Sequence, residues 1–309
     1  MTARLLDGRP VASHMWRDLS ERVAALRADA EVAPRLAIIC FDQGGPSTIY
    51  AHSIARAAHG VGLEVLTVEP PGGVSLSDLA ARIGALNRDP TVAGIVIAQP
   101  IPAHLDLSAV VELLDPEKDV DGATPLNAGR QARGEATFVP ATALAVLTLL
   151  NHYEVPVAGR RAVVVGRSPV VGRPAAELLL SAHASVMLTH RRTRNLARET
   201  RRAEILVVAA GSPRLIRPEM VNRSAVVVDC GINVTEDGVV GDVDFEAVRP
   251  VVAAISPVPG GVGPVTTMCL VEQTVVAAER LARRADHEAS LARFVRPPHR
   301  ADPATPGRS

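Results

Sequence analysis

An α/β fold whose second half is a doubly wound parallel sheet is what this chain of 309 residues predicts, on three observations. Short apolar, β-branched runs at 36–41, 63–68, 93–98, 162–165, 185–189, 205–209, 225–229 and 253–255 alternate with helical periodicity, the pattern of parallel strands covered by helices on both faces. Glycine and small polar residues follow the strands of the second half, at the carboxyl ends where such sheets bind ligands. Finally, R-R-A-V-V-V-G-R-S-P-V-V-G-R-P at 160–174 runs from a buried-strand signal through a glycine turn into a helix start.

Taken in order, helical periodicity over 10–30 precedes the first strand, and Gly44-Gly45-Pro46 turns the chain before Ser47, which reads as the cap of a second helix. Strand 63–68, a helix over 75–87 capped by Ser75 or Ser77, and strand 93–98 complete a first unit. After Asp121 the chain turns through Pro125, Asn127 and Gly129, and a helix at 142–153 leads out to a boundary at Pro156 and Gly159. Five strands make the second unit, and 266–284 is a long closing helix. From 286 on, proline, arginine and small residues predict a disordered tail. The expected division is 1–140 with the closing helix 266–285, then 141–265, then a tail at 286–309.

The 33 acidic and 33 basic residues balance, so no net field recruits nucleic acid or a membrane surface. At 2% aromatic residues, platforms for stacking bases are scarce. No apolar run reaches the ~18 residues of a membrane span, and residues 1–10 carry no signal-peptide core. Cys40, Cys230 and Cys269 are widely spaced in apolar stretches, which reads as buried free thiols rather than disulfides or metal ligands, and predicts a reducing, cytoplasmic setting with no metal.

Within 160–174, Gly166 ends the strand, and Gly172 and Pro174 open the helix. Free backbone N–H groups and the positive end of the helix dipole could then meet a pyrophosphate. The Gly-x5-Gly spacing fits that or an ordinary tight turn. Strand 185–189 is followed by His190-Arg191-Arg192-Thr193, where an NAD enzyme usually offers an acid to the ribose. Arginine forks suit a 2′-phosphate instead, and Arg167 with Ser168 could add to the cluster, so NADP is preferred over NAD. Three further strand-end stretches, 210–213, 229–233 and 241–243, combine glycine with small residues that let a cofactor approach the backbone. The densest signal is P-V-P-G-G-V-G-P-V-T at 257–266, with fixed prolines and absent side chains suited to a narrow slot.

That decapeptide, G-R-S-x-x-V-G-R-P at 166–174, K-D-V-D-G at 118–122 and S-T-I-Y at 47–50 together resemble the methylenetetrahydrofolate dehydrogenase/cyclohydrolase (FolD-type) family over nearly the whole chain apart from the tail. The resemblance implies two domains around a cleft, the second of Rossmann type, a homodimer, NADP in the second domain and a tetrahydrofolate derivative between the domains. It implies oxidation of 5,10-methylenetetrahydrofolate to the methenyl form, then hydrolysis to 10-formyltetrahydrofolate. Carried over by position, Tyr50 packs on the aminobenzoate ring and Asp121 accepts hydrogen bonds from the pterin. Gly166, Arg167, Ser168, Gly172, Arg191, Arg192 and Ile232 line the cofactor, and Pro259 and Gly260 border the substrate.

The departures fall on the folate side. The family's Tyr-x-x-x-Lys is Tyr50-Ala-His-Ser-Ile54 here, so isoleucine replaces the catalytic lysine. The family's V-Q-L-P is Ile97-Ala98-Gln99-Pro100, which puts alanine at the orienting glutamine and Gln99 one position late, facing away from the pocket on an unbulged strand. The family's P-C-T-P-x-G is Pro140-Ala141-Thr142-Ala143-Leu144-Ala145. Lys118 is the only lysine in the chain and belongs to a separate motif. His52 lies two residues from position 54, about 200° away around a helix.

Opening the methenyl ring needs a positioned acid/base, worth roughly 10²- to 10⁴-fold. Hydride loss does not, because two flanking nitrogens stabilise the cation and the remaining demand is alignment. The expectation is a dehydrogenase with weak or absent cyclohydrolase activity. Two alternatives stay open: a one-carbon transferase that uses an enlarged, less polar pocket to admit a small amine or hydrazine, and an idle folate or NADP binder that partners an active paralogue.

Overall fold

The computed structural model describes residues 3–29, 33–41, 45–236 and 238–295. Two parallel sheets organise them. In the first, Arg35–Ile39 lies between Glu64–Val68 and Val92–Ile97. Its central and Val92–Ile97 strands are almost wholly buried, as their unbroken apolar runs require of strands covered on both faces. The second sheet has the order Arg4–Leu5, Ala254–Ile255, Val226–Asp229, Ile205–Val208, Arg161–Val165, Ser185–Thr189, with every pairing parallel. The chain leaves Arg161–Val165 for one neighbour, Ser185–Thr189, and then returns to add Ile205–Val208 on the other side. That reversal of strand order makes the sheet doubly wound and opens a crevice beyond the carboxyl ends of those two strands.

Arg4–Leu5 is the largest departure from the sequence reading. It pairs with Ala254–Ile255 and forms the edge of the second sheet, although it begins the chain. Leu6 N donates to Ile255 O at 2.9 Å and Gly8 N to Gly260 O at 2.8 Å, so the chain runs past the 257–261 loop into its first helix, Gly8–Asp29. Gly8 must be glycine: a Cβ would lie 1.8 Å from Gly261 O.

The closing helix is longer than its periodicity suggested, running Val262–Val295. It starts before Thr266 because Pro264 falls in the first turn, where its missing N–H costs nothing. Residues 286–295, expected in the disordered tail, continue this helix; 296–309 lie outside the described residues. The helix packs on Gly8–Asp29, on Ala141–His152, on Pro46–Gly60 and on Val92–Ile97. Arg22 grips Glu279 through two contacts of 2.9 and 3.0 Å.

The helix after the first turn is Pro46–Gly60, and its N-cap is Gly45, not Ser47. Ser47 is fully buried inside the first turn. Gly44 of the expected turn lies outside the described residues. Ser75 does cap Leu76–Arg88, accepting from Asp78 N at 3.1 Å.

Candidate active site

The K-D-V-D-G segment is a turn organised by one buried carboxylate. Asp119 accepts from Ala123 N, Thr124 N and Asn127 Nδ2 at 2.8–3.0 Å. Gly122 has φ +57°, and a Cβ there would meet Phe138 O and Val139 Cα at 2.6 Å. This turn presents Asp121, whose Oδ1 accepts from Ala141 N at 3.0 Å. Burial lifts the Asp121 carboxyl to about 7, opposed by the Ala141 amide and reinforced by the charge of Asp119. Tyr50 is half-buried; burial raises its phenol well above the ordinary value, and the charge of Asp121 adds to the effect. Of the two residues expected at the folate, Tyr50 therefore feels the charge of Asp121.

Positions 54 and 98 have no accessible surface at all. Both belong to the large apolar core, together with Ala51, Ala58 and Cys40. The wider space expected beside the one-carbon unit is therefore not met at either residue. His52 is exposed, as its angular offset predicts, and so is Gln99, on the other side of the strand end from Ala98. Lys118 is 5% exposed. Its ammonium donates to Leu86 O at 3.1 Å and Asp89 O at 2.6 Å, which ties down the carbonyl end of Leu76–Arg88. Burial lowers its pKa, opposed by Asp115 and Asp89.

At the crevice of the second sheet, Gly166 has φ +115°, and a Cβ there would lie 1.9 Å from Ala209 O. A Cβ on Gly172 would lie 2.1 Å from Gly166 O. Both glycines are thus demanded by backbone packing at the switch point, whatever binds there. The expected free N–H groups of the helix Gly172–Ser181 are a correction. Ser168 Oγ accepts from Val171 N at 3.1 Å and Gly172 N at 3.4 Å, Ser168 O accepts from Arg173 N at 3.1 Å, and Pro174 has none to offer. The cationic side chains expected there, Arg167, Arg191 and Arg192, are all exposed. Arg191 and Arg192 stand on a tight turn in which Thr193 Oγ1 accepts from His190 N at 2.9 Å and His190 Nδ1 from Arg192 N at 3.2 Å. Ile232 is 70% exposed, Pro259 is exposed and Gly260, at φ +106°, is half-buried.

Sequence reasoning flagged the 229–233 and 241–243 loops but missed what holds them. Asp229 accepts from Gly231 N, Asp242 N and Val243 N at 2.9–3.1 Å. Asp242 accepts from Ala210 N, Gly211 N, Ser212 N and Asn233 Nδ2 at 2.6–2.9 Å. Burial raises Asp229 to about 6, offset by its three amides and reinforced by Asp242. The glycines that looked like room for a cofactor make room for these acids: a Cβ on Gly241 would lie 1.9 Å from Asp229 Oδ2, and one on Gly231 would lie 2.5 Å from Asp242 Oδ1. Gln273 was also missed. From the closing helix it donates to Val120 O and Val139 O and accepts from Val139 N, at 2.8–2.9 Å, bracing the two segments that carry Asp121 and Ala141.

Among the described residues no group of three or more His, Cys, Asp or Glu could hold a metal, and no helix is long and apolar enough to cross a membrane. None of the three cysteines is in a disulfide; Cys40 and Cys269 are buried, whereas Cys230 is only partly so.

A doubly wound parallel sheet with an arginine-flanked crevice at its switch point, joined to a second α/β layer that presents an acid and a tyrosine, defines the class of nucleotide-dependent α/β enzymes. Residues 6–121 match the tetrahydrofolate dehydrogenase/cyclohydrolase catalytic domain and residues 140–282 the NAD(P)-binding domain of the same family; the chain belongs to this family. It is 45% identical over 281 residues to the bifunctional protein FolD of Bordetella avium, covering 91% of this chain and 99% of that one. It is 44% identical to the bifunctional protein FolD of Herpetosiphon aurantiacus, covering 92% and 100%. Among solved structures, the bifunctional FolD enzyme of Campylobacter jejuni superposes with a TM-score of 0.88 at 38% identity, covering 90% of this chain and 99% of that one. The Trypanosoma brucei methylenetetrahydrofolate dehydrogenase-cyclohydrolase, complexed with NADP and an inhibitor, gives 0.86 at 36% identity, covering 92% and 99%.

Proposed function

We propose that this protein oxidises 5,10-methylenetetrahydrofolate to 5,10-methenyltetrahydrofolate with NADP, and that its cyclohydrolase activity is weak or lost. The observation that carries the reading is the enclosure of Ile54. At the family's lysine position the side chain is apolar and has no exposed surface, and the chain's only lysine is committed to two carbonyls in another element.

NADP supplies a hydride acceptor when bound. Arg191 and Arg192, with Arg167, would hold its phosphates, and the backbone at Gly166, Ser168, Gly172 and Ile232 would border it. On the substrate side Tyr50 would pack on the aminobenzoate ring, and Asp121, once ionised, would accept from the pterin N–H and amino groups. Pro259 and Gly260 would border the folate from the second unit. Hydride departure leaves a cation shared by two nitrogens, so these residues need only bind and align. Ring opening by water needs a proton acceptor, and neither Ile54 nor Ala98 provides one. Transfer to an amine or hydrazine requires added room that the two enclosed side chains do not give.

We further infer one unit from the first long helix to residue 140 with the closing helix, and a second at 141–265 to which the edge strand Arg4–Leu5 is added. The exposed Val234 and Val239 on the hairpin of Asn233–Thr235 and Gly238–Val240 support a homodimer, and three cysteines outside any disulfide support a cytoplasmic setting.

The test is direct. Purified protein is mixed with methylenetetrahydrofolate and NADP, and the methenyl and formyl products are separated. Methenyl should accumulate, with formyl forming no faster than in protein-free buffer. Formyl appearing as fast as NADPH would refute the loss of cyclohydrolase activity, and no NADPH at all would refute the dehydrogenase.

A further inference from the structure

Two carboxylates that no assigned role uses tie together the loops at the carboxyl end of the second sheet. Asp242 is fully buried and is surrounded by four donors: three consecutive amides of the loop after Ile205–Val208, and the Asn233 amide from the loop after Val226–Asp229. Its own N–H and that of Val243 are held by Asp229, and Asp229 N donates in turn to Ser256 Oγ at 2.8 Å, just ahead of the 257–261 loop. All seven contacts to the two carboxylates come from N–H groups, so both acids serve as ionised acceptors. The clasp is reciprocal, since Gly231 lies over the carboxylate of Asp242 and Gly241 over that of Asp229. It also reaches the switch point: Gly166 rests on Ala209 O, and the next residue, Ala210, is the first amide that Asp242 holds.

We propose that Asp242 is a positioning residue for the dinucleotide: it sets the 210–212 and 231–233 loops into one fixed wall of the cofactor crevice. This rests on the reading that NADP occupies that crevice. Two consecutive amides on one oxygen and two donors on the other leave the loop no freedom to swing. A cofactor meeting that wall incurs little ordering cost on binding. The folate side, held by Asp119, Gln273 and Lys118, shares none of these contacts. Loss of Asp242 therefore acts on one ligand and spares the other.

The test uses the full chain with Asp242→Asn, which sets an amide N–H2 against backbone donors, and with Asn233→Ala, which removes one of the four donors to Asp242 together with a longer, 3.4 Å contact to Val240 O. Hydrogen exchange at 210–212, calorimetric titration with NADP, and KM for each substrate are measured. The wild type's NADPH formation shows separately whether the crevice reading stands. Asp242→Asn should speed exchange at 210–212 and weaken NADP binding at least tenfold, with KM for methylenetetrahydrofolate within twofold; Asn233→Ala should weaken NADP binding about threefold. The proposal is overturned if NADP affinity is unchanged in both variants, or if both substrates weaken alike. Should Asp242→Asn not fold, Asn233→Ala alone decides by the same criteria.

Discussion

On the proposed function, placing a lysine and a glutamine at the two enclosed positions, with Ile54→Lys and Ala98→Gln, should create the ring-opening activity. Ile54 has no accessible surface and sits in the core with Ala98. Giving up its burial forfeits about 1.5–3 kcal/mol, and an unpaired ammonium there costs several kcal/mol more. Ile54→Lys alone should therefore lose on the order of 5 kcal/mol, with the amine driven toward its neutral form. Ala98→Gln offers a hydrogen-bond acceptor, so the double variant should recover part of that loss. The chemical gain is set by general acid/base help, about 10²- to 10⁴-fold, or roughly 3–5 kcal/mol of barrier. The assay follows decay of methenyltetrahydrofolate, with NADPH formation from the methylene substrate as the internal check on folding. Wild type should match buffer and the double variant should exceed it by at least a hundredfold. A wild type that already opens the ring at the double variant's rate would refute the reasoning, as would a folded, dehydrogenase-active double variant with no gain.

Lys118→Met removes two charge-assisted contacts to carbonyls and should lower stability by about 2–3 kcal/mol in urea unfolding, with kcat for the dehydrogenase unchanged. Burial holds Asp121 at about 7 against an ordinary 3.8. Between those values the folded chain binds more protons than the unfolded, so this carboxyl's contribution to stability is greatest below about 4 and declines as pH rises to about 7; Asp121→Asn should flatten that slope. On the proposed role of ionised Asp121 as acceptor of the pterin's donors, kcat/KM for the folate should rise through about pH 7, and this limb should vanish in Asp121→Asn. Arg191→Ala with Arg192→Ala should cut the preference for NADP over NAD by about 10- to 100-fold, the worth of one or two charged hydrogen bonds, seen in paired KM measurements.

The eight expected strands were legible to within one or two residues, because runs such as Ala162–Val165 and Ser185–Thr189 have an apolar centre and end at glycine or a polar turn, whereas the short hairpin strands Asn233–Thr235 and Gly238–Val240 were not. Arg4–Leu5 was not, since two residues carry no period and their partner lies some 250 positions along the chain. Ser47 has the chemistry of a cap, but the turn places Gly45 there and buries the hydroxyl. At the site, residue types were readable from motifs, whereas the satisfied donors at Ser168 depend on how the loop folds back. The roles of Asp229, Asp242 and Gln273 were invisible, because most of their backbone partners lie 13 to 153 residues away.

The edge strand Arg4–Leu5 also determines how the gene can be divided. A fragment beginning at residue 140 would carry five strands of the larger sheet and expose the flank of Ala254–Ile255 that those first residues seal. The complementary fragment would lose Val262–Val295, which roofs the smaller sheet. Neither piece is self-sufficient, because each sheet is finished by sequence from the far end of the chain.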